Sequence, residues 1–171
     1  FGNKSKIDQT DKNILIKDAD VSLLEKTSNI IENANYVGTD NRGTFFELNA
    51  KLAKIFDDKP NISNMEIVDA IISLGDGRKI YIKSDYAIFD KSTNNSNFMG
   101  NIIVTETNNI ITCDNLDLIM SENLIKVFNN VTYNGEKGSI KSDEVYIDIL
   151  KNEVNIFMFE KNDKVQIKYK N

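Results

Sequence analysis

The sequence predicts an all-β fold, an antiparallel sheet of repeated strand pairs bent round an interior, and three observations carry that prediction. First, Ile82-Lys83-Ser84-Asp85 returns as Ile111-Thr112-Cys113-Asp114 and as Ile140-Lys141-Ser142-Asp143, each copy 29 residues after the last; a fixed period of that size marks a repeated supersecondary unit. Second, apolar residues within a unit alternate with period two, as strand side chains do. Third, the links between the alternating segments are short and rich in Asn, Asp and Gly, which suits hairpins. Stacked parallel coils are the rival architecture, but parallel pairing needs a long crossover.

The elements follow in chain order. Residues 1–12 (FGNKSKIDQTDK) carry too little apolar surface to fold alone and read as a flexible lead-in, with one domain over 13–171. Residues 14–37 read as one irregular strand pair that includes Ile14-Leu15-Ile16. Phe46, Leu48, Ala50, Ala53 and Ile55 copy the later units, with a longer loop around Pro60; Leu48, Leu52, Ile55 and Phe56 also fit a short amphipathic helix. The first clear unit places Ile80 and Ile82, then Ala87 and Phe89, on one face, and returns through Phe98, Gly100, Ile102 and Val104. The second repeats this with Ile111, Leu116 and Leu118, returning through Val127, Asn129, Val131 and Tyr133. The third has Ile140, Val145, Ile147 and Ile149, returning through Ile156 and Met158. In each unit the parity slips at Asp85, Asp114 or Asp143. Such a slip turns the apolar set to the wrong face unless an extra residue is absorbed, so a β-bulge or sharp kink is expected at each Asp. A last strand is expected at Val165, Gln166, Ile167, Lys168 and Tyr169.

Composition excludes several functions. A net charge of −5 with scattered Lys and only Arg42 and Arg78 argues against nucleic acid as a partner. The chain has no His, the commonest zinc ligand and general base, and no Gly-rich phosphate loop; Gly75-Asp76-Gly77-Arg78 is only a turn. Cys113 stands where other units have Ser84 and Ser142, which makes it a buried small residue rather than a nucleophile. No cofactor, metal or catalytic group is expected. The many Asn residues reflect a codon bias and are not read as sites.

These residues resemble a known family. The units Ile82-Lys83-Ser84-Asp85-x-Ala87-x-Phe89-Asp90, a turn, then Phe98-Met99-Gly100-Asn101-Ile102 look like the signature of the OstA-like domains of LptA and LptC in the lipopolysaccharide transport bridge. The stretch Tyr36-Val37-Gly38-Thr39-Asp40-Asn41-Arg42-Gly43-Thr44-Phe45-Phe46, followed by Ala50-Lys51-Leu52-Ala53, is similar to the opening of LptC, which LptA lacks. Ser84, Cys113 and Ser142 replace an expected Ala, and the return-strand Gly survives only at Gly100, becoming Asn129 and Met158.

The resemblance implies an OstA-like β-jellyroll, open at both edges, in the periplasm behind a single inner-membrane anchor lost upstream of Phe1. It implies no enzymatic role. The domain would take lipopolysaccharide from the LptF/LptG subunits of an ABC transporter at its N-terminal edge and pass it to LptA at its C-terminal edge, residues 165–169. The eighteen apolar residues assigned above to one face, from Ile80 to Met158, would form an acyl-chain trough without aromatic plugs. From the residues alone a plain packed core is the stronger reading of that face. Other readings are a soluble LptA-like bridge component and a carbohydrate-binding or adhesion β-domain, which should expose aromatic platforms.

Overall fold

The computed structural model describes residues 28–40, 42–158 and 166–169. They form one antiparallel sheet: β1 (Ser28–Thr39), β2 (Phe45–Phe56), β3 (Ile62–Ser73), β4 (Lys79–Asp90), β5 (Asn95–Glu106), β6 (Asn109–Ile119), β7 (Leu124–Gly135) and β8 (Gly138–Asp148), then β9 (Glu153–Phe157) and β10 (Gln166–Tyr169). From β2 to β9 each strand pairs with its predecessor in an antiparallel meander, so the parallel-coil alternative is excluded. The sheet does not close on itself, and the architecture is an open β-jellyroll. β2 settles the helix-or-strand ambiguity at residues 47–56 in favour of strand. The expected lead-in and Ile14-Leu15-Ile16 lie outside the described residues.

β9 and β10 do not lie side by side. Glu153–Phe157 pair with 144–148 of β8, and Gln166–Tyr169 pair with 138–141 of the same strand, so the two run end to end as one interrupted edge strand.

A crease crosses the sheet at the slip line, with a placement that differs from the expected one. Between β4 and β5, Ser84 and Asp85 face three residues, Gly100, Asn101 and Ile102; between β7 and β8, Asn129 and Asn130 face Asp143 alone. The extra residue therefore sits opposite the Asp, on the return strand. It needs a left-handed backbone, and Gly100 (φ 77°), Asn101 (φ 46°), Asn129 (φ 62°) and Asn130 (φ 53°) supply it; Gly and Asn are the residues that adopt this region at least cost. The Asp accepts from the bulge: Asn101 Nδ2 donates to Asp85 Oδ2 at 2.6 Å, and Asn130 Nδ2 to Asp114 Oδ2. A Cβ on Gly100 would lie 3.0 Å from Asp85 Oδ2, so the first bulge also needs the missing side chain. The replacement of Gly by Asn129 in the next unit keeps the backbone requirement.

The crease extends beyond the three Asp residues. On β1 it falls at Asn33 (φ 51°) and on β3 at Ile67 (φ 53°), which faces Asp85 with the register unbroken on either side. Ile67 is a β-branched residue in a conformation that strains it. Among the described residues, seven of the nine non-Gly residues with positive φ are Asn, so these residues shape creases and turns.

The crease divides each long strand into two limbs that fold toward each other. Tyr36 and Phe46 on one limb meet Phe89 on the other, with ring centroids 5.2 and 6.1 Å apart, and the Tyr36 hydroxyl lies 3.1 Å from Ser63 Oγ. Leu48, Ile72, Ile82, Leu116, Leu118 and Val127 are fully buried between the limbs. The interior near β1–β5 is thus filled, partly by aromatic rings, which corrects the expectation of a trough free of aromatic plugs.

Candidate functional site

At the other end of the fold the limbs stay apart. A cavity of about 340 Å³ opens between Ile80, Val104 and Ile111 on one limb and Ile125, Val145, Ile147 and Ile156 on the other. The side chains explain why it is empty. Inward positions on β8 and β9 carry Val, Ile and Ser where the β1–β5 end carries Phe46, Phe89 and Phe98, so the described side chains fill less of the space there.

Seven of the eighteen residues assigned to the trough line this cavity: Ile80, Val104, Ile111, Ile140, Val145, Ile147 and Ile156. Ile82, Ala87, Phe89, Phe98, Ile102, Leu116, Leu118, Val127, Val131 and Ile149 are buried in the packed core, and Met158 lines a separate small pocket with Asn130 and Asp143. Cavity-lining residues outside those eighteen are Ile125, Val154 and Tyr133, which the repeat sets in the place of Val104, with Glu106, Asn109, Ser142 and Asn152 as its polar groups.

One side of the cavity is held by Arg78, at the tip of the β3–β4 turn. Its guanidinium donates to Asp76 Oδ2 at 2.7 Å, Glu106 Oε1 at 3.3 Å, Asn152 Oδ1 at 3.0 Å and the Ile149 carbonyl at 3.1 Å. Ile149 and Asn152 lie 71 and 74 positions along the chain, on the β8–β9 turn of the opposite limb. The fork therefore clasps the two rims together, as the five-donor geometry of Arg allows. The hydrogen bond to Asp76, with the nearby carboxylates, raises the Arg78 pKa above its ordinary value. The turn read as "only a turn" is the clasp.

Cys113 is buried, and burial, reinforced by Asp114, pushes its thiol up to about 12, so it stays protonated. Lys126 bonds Glu144 at 2.7 Å on the outer face and stands 5.0 and 5.4 Å from the ring centroids of Phe128 and Tyr146. Among the described residues no cluster of His, Cys, Asp or Glu could hold a metal ion, and no helix is long and apolar enough to cross a membrane.

Apolar side chains surface at the two edges of the described sheet. Ile30, Ile31 and Val37 are exposed on β1, and Val154, Phe157 and Ile167 on β9 and β10. Of the segment expected to meet a partner, Gln166, Ile167, Lys168 and Tyr169 form β10, while Val165 lies outside the described residues. An edge strand with unpaired amides and apolar side chains is a template for another strand.

Comparison with known proteins gives one family. The model of a family described as lipopolysaccharide-assembly, LptC-related, matches residues 5–157. No curated protein matches the chain.

Proposed function

Because the chain belongs to the LptC-related lipopolysaccharide-assembly family, and so has a role in lipopolysaccharide transport in the Gram-negative envelope, we propose that it relays the lipid by holding an acyl chain in the cavity between its limbs. In this reading the domain sits in the periplasm behind a single inner-membrane anchor. It receives lipopolysaccharide from the LptF/LptG transporter subunits at the β1 edge and yields it to LptA at the β10 edge.

The observation that carries the reading is the apolar cavity itself, placed at the end of the described sheet where β9 and β10 form the edge. At roughly 30 Å³ per water-sized group, about 340 Å³ accommodates on the order of ten methylenes. That is one chain, not several. Burial at about 0.8 kcal/mol per methylene gives a gross stabilisation of roughly 8 kcal/mol, and ordering costs reduce it. The result is a hold weaker than micromolar, which suits a protein that must let its cargo go.

The test is direct binding. A Trp in place of Ile147 fills the cavity and should lower affinity for lipopolysaccharide at least tenfold, while Ile103→Trp, on the exposed face, should leave it unchanged. Equal affinity in all three proteins refutes the cavity as the binding site. For the handover, Ile167→Pro removes an amide donor and fixes φ in β10, so a folded Ile167→Pro protein should lose LptA in a pull-down. Retention of LptA by that variant would place the handover elsewhere.

A further inference from the structure

The cavity does not end blindly. A second, larger hollow of about 610 Å³ lies at the rim formed by the β5–β6 and β7–β8 turns, and the two share Asn109, Tyr133 and Ile140 as walls. The second hollow has different chemistry: Thr107, Asn108 and Asn109 on one turn face Glu136 and Lys137 on the other. Asn108 Nδ2 donates to Glu136 Oε1 at 2.6 Å across it. Its outer wall includes Ile167, on the β10 edge strand.

Tyr133 stands at the boundary. Its hydroxyl donates to Asn109 Oδ1 at 2.8 Å, and a Cβ on Gly135, which lines only the polar hollow, would lie 2.5 Å from the same hydroxyl. The phenol thus presents its ring to the apolar cavity and its polar end to the vestibule, the division that an amphipathic aromatic side chain favours. Gly135 leaves the room that the hydroxyl occupies.

We infer that this vestibule binds the sugar end of the glycolipid whose acyl chain fills the cavity, with Tyr133 as the residue that registers one against the other. The inference rests on the proposed lipid-binding role. The vestibule's groups favour hydroxyls and amides over phosphate: among the described residues Lys137 is its one cation and Glu136 stands beside it, whereas phosphate recognition needs clustered or forked cations. Thr107, Asn108, Asn109 and Tyr133 offer both donors and acceptors, as sugar hydroxyls require. Because Ile167 walls the vestibule, the sugar would be held beside the strand to which the next sheet is proposed to add.

The experiment compares two probes on the parent protein, Tyr133→Phe and Asn108→Ala: a fluorescent fatty acid, which has no sugar, and lipopolysaccharide. Tyr133→Phe keeps the ring and removes the hydroxyl. It should leave the fatty-acid affinity unchanged and weaken lipopolysaccharide binding about three- to tenfold, the range of one lost hydrogen bond; Asn108→Ala should show the same split. Equal weakening toward both probes would make Tyr133 part of the acyl site only and overturn the inference. So would unchanged binding of both. If the parent protein binds neither probe, the lipid-binding role fails and the vestibule with it. If it binds the fatty acid and both variants bind lipopolysaccharide as the parent does, the cavity stands and the sugar site falls.

Discussion

Replacing Arg78 by Ala removes the clasp between the rims. Its side chain is 29% exposed, and three of its partners, Glu106, Asn152 and the Ile149 carbonyl, lie outside its own turn. A hydrogen bond from a charged donor contributes about 1.5–3 kcal/mol when well buried, and an exposed ion pair about 0–1 kcal/mol. Partial exposure puts the loss nearer the lower figures, about 2 kcal/mol for the set. For a domain of this size that corresponds to a fall in Tm of roughly 4–8 °C. The clasp also borders the cavity, so its removal should speed ligand exchange. Thermal melts followed by circular dichroism and stopped-flow exchange of a fluorescent fatty acid give the two readouts. Arg78→Lys keeps the charge but loses the fork, so it should recover less than half of each effect. If Arg78→Ala melts with the parent and exchanges ligand at the parent's rate, the rims are not held by this residue.

Three further outcomes are expected. Asn101→Ile places a β-branched residue at φ 46° and deletes the bond to Asp85; it should cost about 2 kcal/mol in urea melts, whereas the same change at exposed Asn97 should cost less than half as much. Stability should be level between pH 5 and 8, because the chain has no His, and should decline in acid. Asp76, held down by the Arg78 amide and side chain, Asp90, held down by the Ser92 hydroxyl and amide, and Asp148, held down by the Lys151 amide and side chain, all have lowered pKa values. Their stabilisation is present above the unfolded carboxylate value of about 3.9 and is lost as pH falls through the folded values; a decline already complete at pH 5 would contradict this. Cys113 should resist maleimide in the folded protein and react only on unfolding, and rapid labelling under native conditions would refute its burial.

The repeat made the strand pairs from β4 to β8 legible, because alternation and turn residues follow directly from strand geometry. The three Asp residues marked the crease, but not the strand that carries the extra residue. That signal was present in Gly100-Asn101 and Asn129-Asn130; it was lost because Asn is abundant throughout the chain. Ile67 carries no such signal, since nothing local favours a left-handed isoleucine, and its conformation follows from the register of β2 and β4 beside it.

Periodicity also could not divide the inward face into core and cavity. Leu118 and Ile147 occupy equivalent places in the repeat, yet one is fully buried in the core and the other lines open space. The difference depends on what fills the space between the limbs: Phe46, Phe89 and Phe98 fill one end, whereas Tyr133 is the one ring among the described residues lining the cavity at the other. The Arg78 clasp joins positions more than 70 residues apart, beyond the reach of any local pattern.

The central claim, an acyl-chain site confined to the cavity, is tested most directly by photocrosslinking in cells. A photoreactive residue at Ile147 or Ile156, which line the cavity, should capture lipopolysaccharide, whereas one at Leu118, in the packed core, or at Lys83 or Thr112, on the outer face, should not. Capture from Lys83 and Thr112 as strong as that from Ile147 and Ile156, or none from the cavity positions, would contradict the account.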